Sequence, residues 1–219
     1  MRLIYNNNIL YISKKLIYPF VSSSTTIYTM ALELYVGPMY AGKTTKMIQM
    51  YRLNTRTTKI SIDFNTTNES NRVFVDALQS HDDCELQGVY KTKELMLVWK
   101  EDIYAYGDEA HYKRAYHATD IYINECQFFP DLKEFVLNCL QQDIRVYLYG
   151  LDGDFKQDLF GQTMMLIPYC SHIEKIQGTC KTCSNPSVIS YRTCNDTQIY
   201  LPNSDCYVPL CLKCYKEIK

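Results

Sequence analysis

Three groups of residues in this chain have types and spacings suited to chemistry. The first, Gly37-Pro38-Met39-Tyr40-Ala41-Gly42-Lys43-Thr44-Thr45, follows the apolar stretch Leu32-Glu33-Leu34-Tyr35-Val36. It reads G-x-x-x-x-G-K-T: glycines let backbone N–H groups curl around phosphate oxygens, Lys43 adds a point charge, and the Thr44 hydroxyl can ligate Mg²⁺. A helix beginning at Lys43 would point the positive end of its dipole at the same phosphates. Met47, Ile48, Tyr51 and Met50 give that helix an apolar stripe. Glycines serving only a tight turn are the competing reading, disfavoured by a strand before and a helix after. The group therefore points to a nucleoside triphosphate.

The second group, Asn124-Glu125-Cys126-Gln127-Phe128-Phe129, closes the strand-like run Thr119–Ile123. In a phosphate-loop fold, a strand ending in an acid supplies a carboxylate near Mg²⁺ and the γ-phosphate. Asn124 holds that position here, keeping a carbonyl acceptor without the charge. Glu125, at the mouth of the sheet, is placed to accept a proton from an attacking hydroxyl; a plain exposed carboxylate is the alternative. The third group is Cys180-Lys181-Thr182-Cys183 with Cys211-Leu212-Lys213-Cys214. Two such pairs close a tetrahedral Zn²⁺ shell with no position left for water, which makes the site structural. A redox pair is the competing reading, and two pairs in a short turn-rich tail favour zinc.

Elements that could position these groups alternate along the chain. Lys59–Phe64 reads as a short strand, followed by a polar loop over Asn65–Arg72. Glu94–Trp99 has helical character, and the charged, tyrosine-rich stretch 100–116 reads as an insertion. Leu132, Phe135, Val136, Cys139 and Leu140 make an amphipathic helix, and Ile144–Tyr149 a third strong strand leading into Gly150-Leu151-Asp152-Gly153. The expected fold is thus α/β: a P-loop (RecA-like) parallel sheet with helices on both faces, binding ligands at the strands' carboxyl ends. A pattern change near Gln177 adds a small C-terminal zinc-ribbon domain. The expected division is a poorly ordered extension over 1–30, a phosphate-loop domain over 31–177, and a zinc-binding domain over 178–219.

Bulk properties narrow the function classes. At 219 residues the chain has room for one substantial domain and an appendage, which excludes a two-lobed helicase. A net charge of −1 gives no field drawing it to nucleic acid or an acidic membrane surface, so a small-molecule partner is expected. No apolar run reaches the ~18–20 residues of a membrane span. Four of the ten cysteines fall in the paired motif, favouring metal and a reducing, cytoplasmic setting over disulfides.

Taken together, these residues closely resemble the type II thymidine kinases, the zinc-containing class. The motifs agree in order: Gly37–Thr45, Glu125-Cys126-Gln127-Phe128-Phe129-Pro130-Asp131, Leu151-Asp152-Gly153-Asp154-Phe155 followed by Phe160-Gly161, the Cys180/Cys183 pair, and Tyr207 with Cys211 and Cys214. The resemblance implies transfer of the ATP γ-phosphoryl group to the 5′-hydroxyl of thymidine or deoxyuridine. Glu125 would be the general base, Lys43 would stabilise the phosphoryl group, Thr44 would bind Mg²⁺, and Asn124 to Gln127 would lie along the ATP site. Met39, Phe128, Leu151 and Phe155 would wall a thymine pocket, unless they are simply core. The segment between Cys183 and Cys211 resembles the family's lasso, in which Ser190 and Ile199, Tyr200, Leu201 and Pro202 would lie against the base and Tyr207 against the sugar. A homotetramer inhibited by thymidine triphosphate is also implied.

Three departures from the family pattern stand out: Asn124 in place of aspartate, Glu69-Ser70-Asn71-Arg72 as an approximate Asp-x-Arg element, and Pro202-Asn203 in place of a Gly-Gly pair. Two other readings stay open, a P-loop ATPase with a zinc ribbon and a nucleotide-binding pseudokinase with a regulatory role.

Overall fold

The computed structural model describes residues 31–56, 58–67, 73–99, 115–195 and 206–218. The extension 1–30, the Glu69–Arg72 element, most of the 100–116 insertion and the lasso residues Ile199, Tyr200, Leu201, Pro202 and Asn203 lie outside them. Seven strands form the main sheet: β1 Leu32–Val36, β2 Lys59–Phe64, β3 Phe74–Gln79, β4 Glu85–Thr92, β5 Asp120–Ile123, β6 Arg145–Gly150 and β7 His172–Lys175. Their order is β3-β4-β2-β5-β6-β1-β7. Every neighbouring pair is parallel except β3 with β4.

Strand alternation sorts the side chains into two cores. Leu34, Val36, Ile60, Ile62, Ile121, Ile123, Val146 and Leu148 face helix α2 (Leu132–Gln141), whose Leu132, Phe135, Val136 and Cys139 are fully buried against them. Tyr35, Tyr122 and Tyr149 point to the opposite face, where helix α1 (Lys43–Leu53) covers them with Met47 and Ile48. Strand register pairs Tyr35 with Tyr149 and Tyr122 with Tyr147, and both pairs stack, at 4.8 and 4.4 Å between ring centroids. Such pairs contribute ~0.5–1.5 kcal/mol beyond their burial. Burial on both faces is the requirement of a parallel sheet, and α1 and α2 meet it from opposite sides.

Two parts of this sheet are not legible as strands in the sequence. The β3–β4 hairpin lacks clean alternation because only Leu78 of β3 is buried. Edge strand β7 (His172-Ile173-Glu174-Lys175) is mostly exposed and carries no apolar run. The helical character of Glu94–Trp99 is realised as a 3₁₀ turn, Leu95–Trp99. The backbone N–H groups of Leu95 and Met96 donate to the Asp131 carboxylate at 3.1 and 2.9 Å, so the residue preceding α2 caps this turn with its side chain and not its own helix.

After β7 the chain leaves the main sheet. β8 (Gly178–Thr179) pairs with β9 (Pro186–Ser187), and β10 (Ile189–Arg192) with β11 (Tyr207–Leu210), both antiparallel. A short helix, α3 (Leu212–Ile218), follows. Ile189, Leu210 and Tyr215 gather around the cysteines in a cluster too small to serve as an independent core.

Candidate active site at the carboxyl ends of the strands

Residues 37–42 connect β1 to α1, and their backbone needs glycine at two places for two reasons. A Cβ on Gly37 would lie 2.1 Å from the Ile176 carbonyl oxygen, so the position is closed to any side chain. Gly42 sits at φ +78°, in the left-handed region, with open space where a side chain would stand. Tyr40 shares that region at φ +59° without being glycine. The first turn of α1 then opens at Lys43, as its position after the loop predicts. Lys43 is buried, its Nζ donating to the Pro38 carbonyl at 2.7 Å. Burial lowers its proton affinity, while Glu125 and Asp152 act in the opposite direction.

Thr44 Oγ1 donates to Asn124 Oδ1 across 3.3 Å, bringing the loop hydroxyl and the strand-end amide together. Both are hard oxygen donors of the kind Mg²⁺ prefers. An octahedral ion with bonds of about 2.1 Å spans about 3.0 Å between adjacent oxygens, close to the separation seen. Gly37 and Pro38 are buried behind the loop, while Met39 through Thr45 line the cavity described below.

Glu125 adopts φ +51°, a left-handed conformation in a residue that is not glycine. Backbone strain of this kind costs ~1–3 kcal/mol and gathers at functional sites. Gln127 holds the turn from beneath: its Nε2 donates to Glu125 Oε2 at 2.6 Å, and its Oε1 accepts from the Leu151 N–H at 2.9 Å. Burial raises the Glu125 carboxyl above the ordinary carboxylate range, with Lys43 the main opposing influence. Cys126 is fully buried beside Thr163, and burial pushes its thiol up to about 12, leaving it protonated and unreactive at neutral pH. Cys126 and Gln127, expected along the ATP site, are interior residues, and Gln127 supports Glu125 from below.

One cavity of about 370 Å³ joins these pieces. The loop from Met39 to Thr45 and Glu125 line it; Phe128, Leu151, Phe155 and Phe160 form apolar walls, and Ser190 and Tyr207 join from the C-terminal sheets. Its size falls in the range of small-molecule sites. The Met39 N–H donates to Ser190 Oγ at 2.9 Å, tying the phosphate loop to β10. Arg192 lies over the Phe155 ring at 3.6 Å and donates to the Tyr207 hydroxyl. Phe155 is presented by a turn in which Asp154 Oδ1 accepts from the Lys156 and Asp158 N–H groups.

Sequence reasoning missed several cavity residues. Ser80, His81 and Asp82, at the tip of the β3–β4 hairpin, line it beside the loop. Asp82 Oδ2 accepts from Thr45 Oγ1 at 2.6 Å, and His81 packs against Tyr40 with ring centroids 5.0 Å apart. The polar Ser-His-Asp-Asp run is the one signal, and it is indistinguishable from ordinary turn chemistry. Thr66, Asp154 and Phe160 also reach the cavity.

At the other end of the small C-terminal sheets, the sulfur atoms of Cys180, Cys183, Cys211 and Cys214 all lie within 4.8 Å of one another. Tetrahedral zinc with Zn–S bonds of about 2.3 Å requires sulfur separations of about 3.8 Å. Cys183 and Cys211 are already 3.6 Å apart. Burial opposes ionisation of Cys180, yet hydrogen bonds from the backbone of Cys211, Cys183 and Thr182 prevail and lower its thiol to about 6. Four soft donors in this arrangement fit zinc.

Comparison with known proteins agrees with this geometry. Residues 30–215 match the family model described as thymidine kinase. The chain is 30% identical over 198 residues to a thymidine kinase of Pseudothermotoga lettingae, covering 85% of this chain and 95% of that one. It is 31% identical over 194 residues to a thymidine kinase of Amsacta moorei entomopoxvirus, covering 86% and 99%. It is 27% identical over 194 residues to a thymidine kinase of Oryza sativa subsp. japonica, covering 87% and 68%.

Proposed function

The chain belongs to the thymidine kinase family, and from that premise we propose that it transfers the γ-phosphoryl group of ATP to the 5′-hydroxyl of thymidine or deoxyuridine. The observation that carries this reading is the continuity of the cavity: phosphate loop, half-buried Glu125 and a flat aromatic wall share one space. A planar base suits the slot between Phe128, Leu151, Phe155 and Met39, with its sugar directed toward Glu125.

Glu125 removes the proton of the 5′-hydroxyl as that oxygen bonds to the γ-phosphorus and the bond to ADP breaks. The raised proton affinity that burial gives the carboxylate suits a general base. Lys43 and the α1 N-terminus offset the charge on the transferring group. Thr44 with Asn124 would hold Mg²⁺, which supplies neutralisation of phosphate charge when bound. Ser190 and Tyr207 contact the nucleoside from the C-terminal sheets. Cys180, Cys183, Cys211 and Cys214 would hold a structural Zn²⁺, which would tie the C-terminal sheets together.

Purified protein given ATP, Mg²⁺ and thymidine is expected to form thymidine monophosphate. Glu125→Gln should remove at least ~10²-fold of kcat, the lower range for a general base, while ATP binding stays within a few-fold. ATP hydrolysis that ignores nucleoside would favour an ATPase, and ATP binding without any turnover would favour a nucleotide-binding protein.

A further inference from the structure

Across the carboxyl ends of β4, β2 and β5 runs a row of polar side chains that ends at the phosphate loop. Lys91 Nζ donates to Asp63 Oδ2 at 2.6 Å; Asp63 Oδ1 accepts from Asn124 Nδ2 at 2.9 Å; Asn124 Oδ1 accepts from Thr44 Oγ1 at 3.3 Å. Strand register makes the row, setting Asp63 opposite Lys91, while the Asn124 N–H donates to Ile62 O. Asp63 is 7% exposed and Asn124 4%, so water offers neither of them a substitute partner.

The chemistry of these groups fixes a direction. A carboxylate only accepts hydrogen bonds, so Asp63 can engage the amide of Asn124 only through its NH₂. The carbonyl oxygen must then face Thr44. An amide without this anchor is free to turn over and present two N–H donors where a cation needs oxygen. A purely structural Lys91–Asp63 ion pair would account for those two residues but leave the orientation of Asn124 undetermined.

We propose that Asp63 is a positioning residue that, through the amide of Asn124, holds a carbonyl oxygen at the magnesium position. Lys91 holds the Asp63 carboxylate in its buried place from the far side, Nζ to Oδ2 at 2.6 Å. This inference rests on the magnesium–ATP chemistry proposed above and deepens it by assigning the orientation of the ligand amide to a residue outside the cavity lining.

The test uses Mn²⁺ as the probe. Its binding to the full-length chain in the presence of ATP is followed by electron paramagnetic resonance, alongside ATP binding in EDTA and the melting midpoint. Asp63→Asn is expected to weaken Mn²⁺ at least tenfold and to leave ATP binding in EDTA within twofold. The exchange Asp63→Asn with Asn124→Asp restores one carboxylate and satisfies every donor: the amide placed at position 63 would accept from Lys91 and donate to the new acid. Mn²⁺ affinity in the exchange variant should return to the wild-type value or better. An Asp63→Asn protein that binds Mn²⁺ like the wild type overturns the inference. So does a folded exchange variant tenfold weaker than wild type, and that variant decides alone if Asp63→Asn melts too early to assay. A wild-type chain that binds no Mn²⁺ with ATP overturns the kinase reading itself.

Discussion

Among single residues the site turns on Glu125, whose carboxylate is held by Gln127 and whose backbone is held in a left-handed turn. Burial raises its proton affinity, and a general base must be ionised to act. On the role proposed for Glu125, activity is expected to be lost as pH falls through that raised value. The acid limb of the kcat/KM profile is expected above the ordinary carboxylate range, and Gln127→Ala, which removes the hydrogen bond favouring the charged form, should move it further toward neutral pH. A pH–rate profile of the two proteins checks this; an unmoved limb would show that Gln127 does not set the base.

Among the elements, turns after the strands decide how the cavity is shaped. Gly161 sits at φ +61°, and a Cβ there would lie 2.1 Å from the Gln127 carbonyl oxygen. Gly161→Ala should cost about 2–3 kcal/mol, read from denaturant melts, because steric overlap adds to backbone strain. Asp131 precedes α2 yet spends its carboxylate on the 3₁₀ turn Leu95–Trp99. Asp131→Ala should cost about 1–2 kcal/mol, the range for a lost cap with charge-assisted bonds, with kcat little changed. Both effects follow from contacts between segments far apart in the chain.

Across the molecule as a whole, the C-terminal sheets contribute Ser190 and Tyr207 to a cavity otherwise built by the large sheet. Their cluster of apolar residues is small, so a metal held by the four cysteines is expected to carry much of their order. One zinc per chain is expected by atomic absorption, lost in Cys183→Ser. Loss of the metal should raise the thymidine KM far more than it weakens ATP binding, since Lys43, Thr44 and α1 belong to the large sheet. A zinc-free variant with unchanged thymidine KM would mean that the sheets hold their place without it.

Chemistry that is contiguous in the chain was readable from the amino acids alone: the phosphate loop, Glu125 beside Asn124, the paired cysteines, and β1, β2, β5, β6, α1 and α2, each with an apolar pattern of its own. Half-exposed elements left no such pattern, which is why β3, β4 and β7 were not legible. It took the folded chain to bring His81 and Asp82 to the loop at the tip of the β3–β4 hairpin, and to turn Cys126 and Gln127 inward. The partner of Asn124 is of the same kind. Along the chain that residue is a missing charge; in the sheet, strand register sets the carboxylate of Asp63 2.9 Å from its amide. Parallel strands join distant segments by hydrogen-bond register, and register is a property of the assembled sheet that no single stretch of sequence contains.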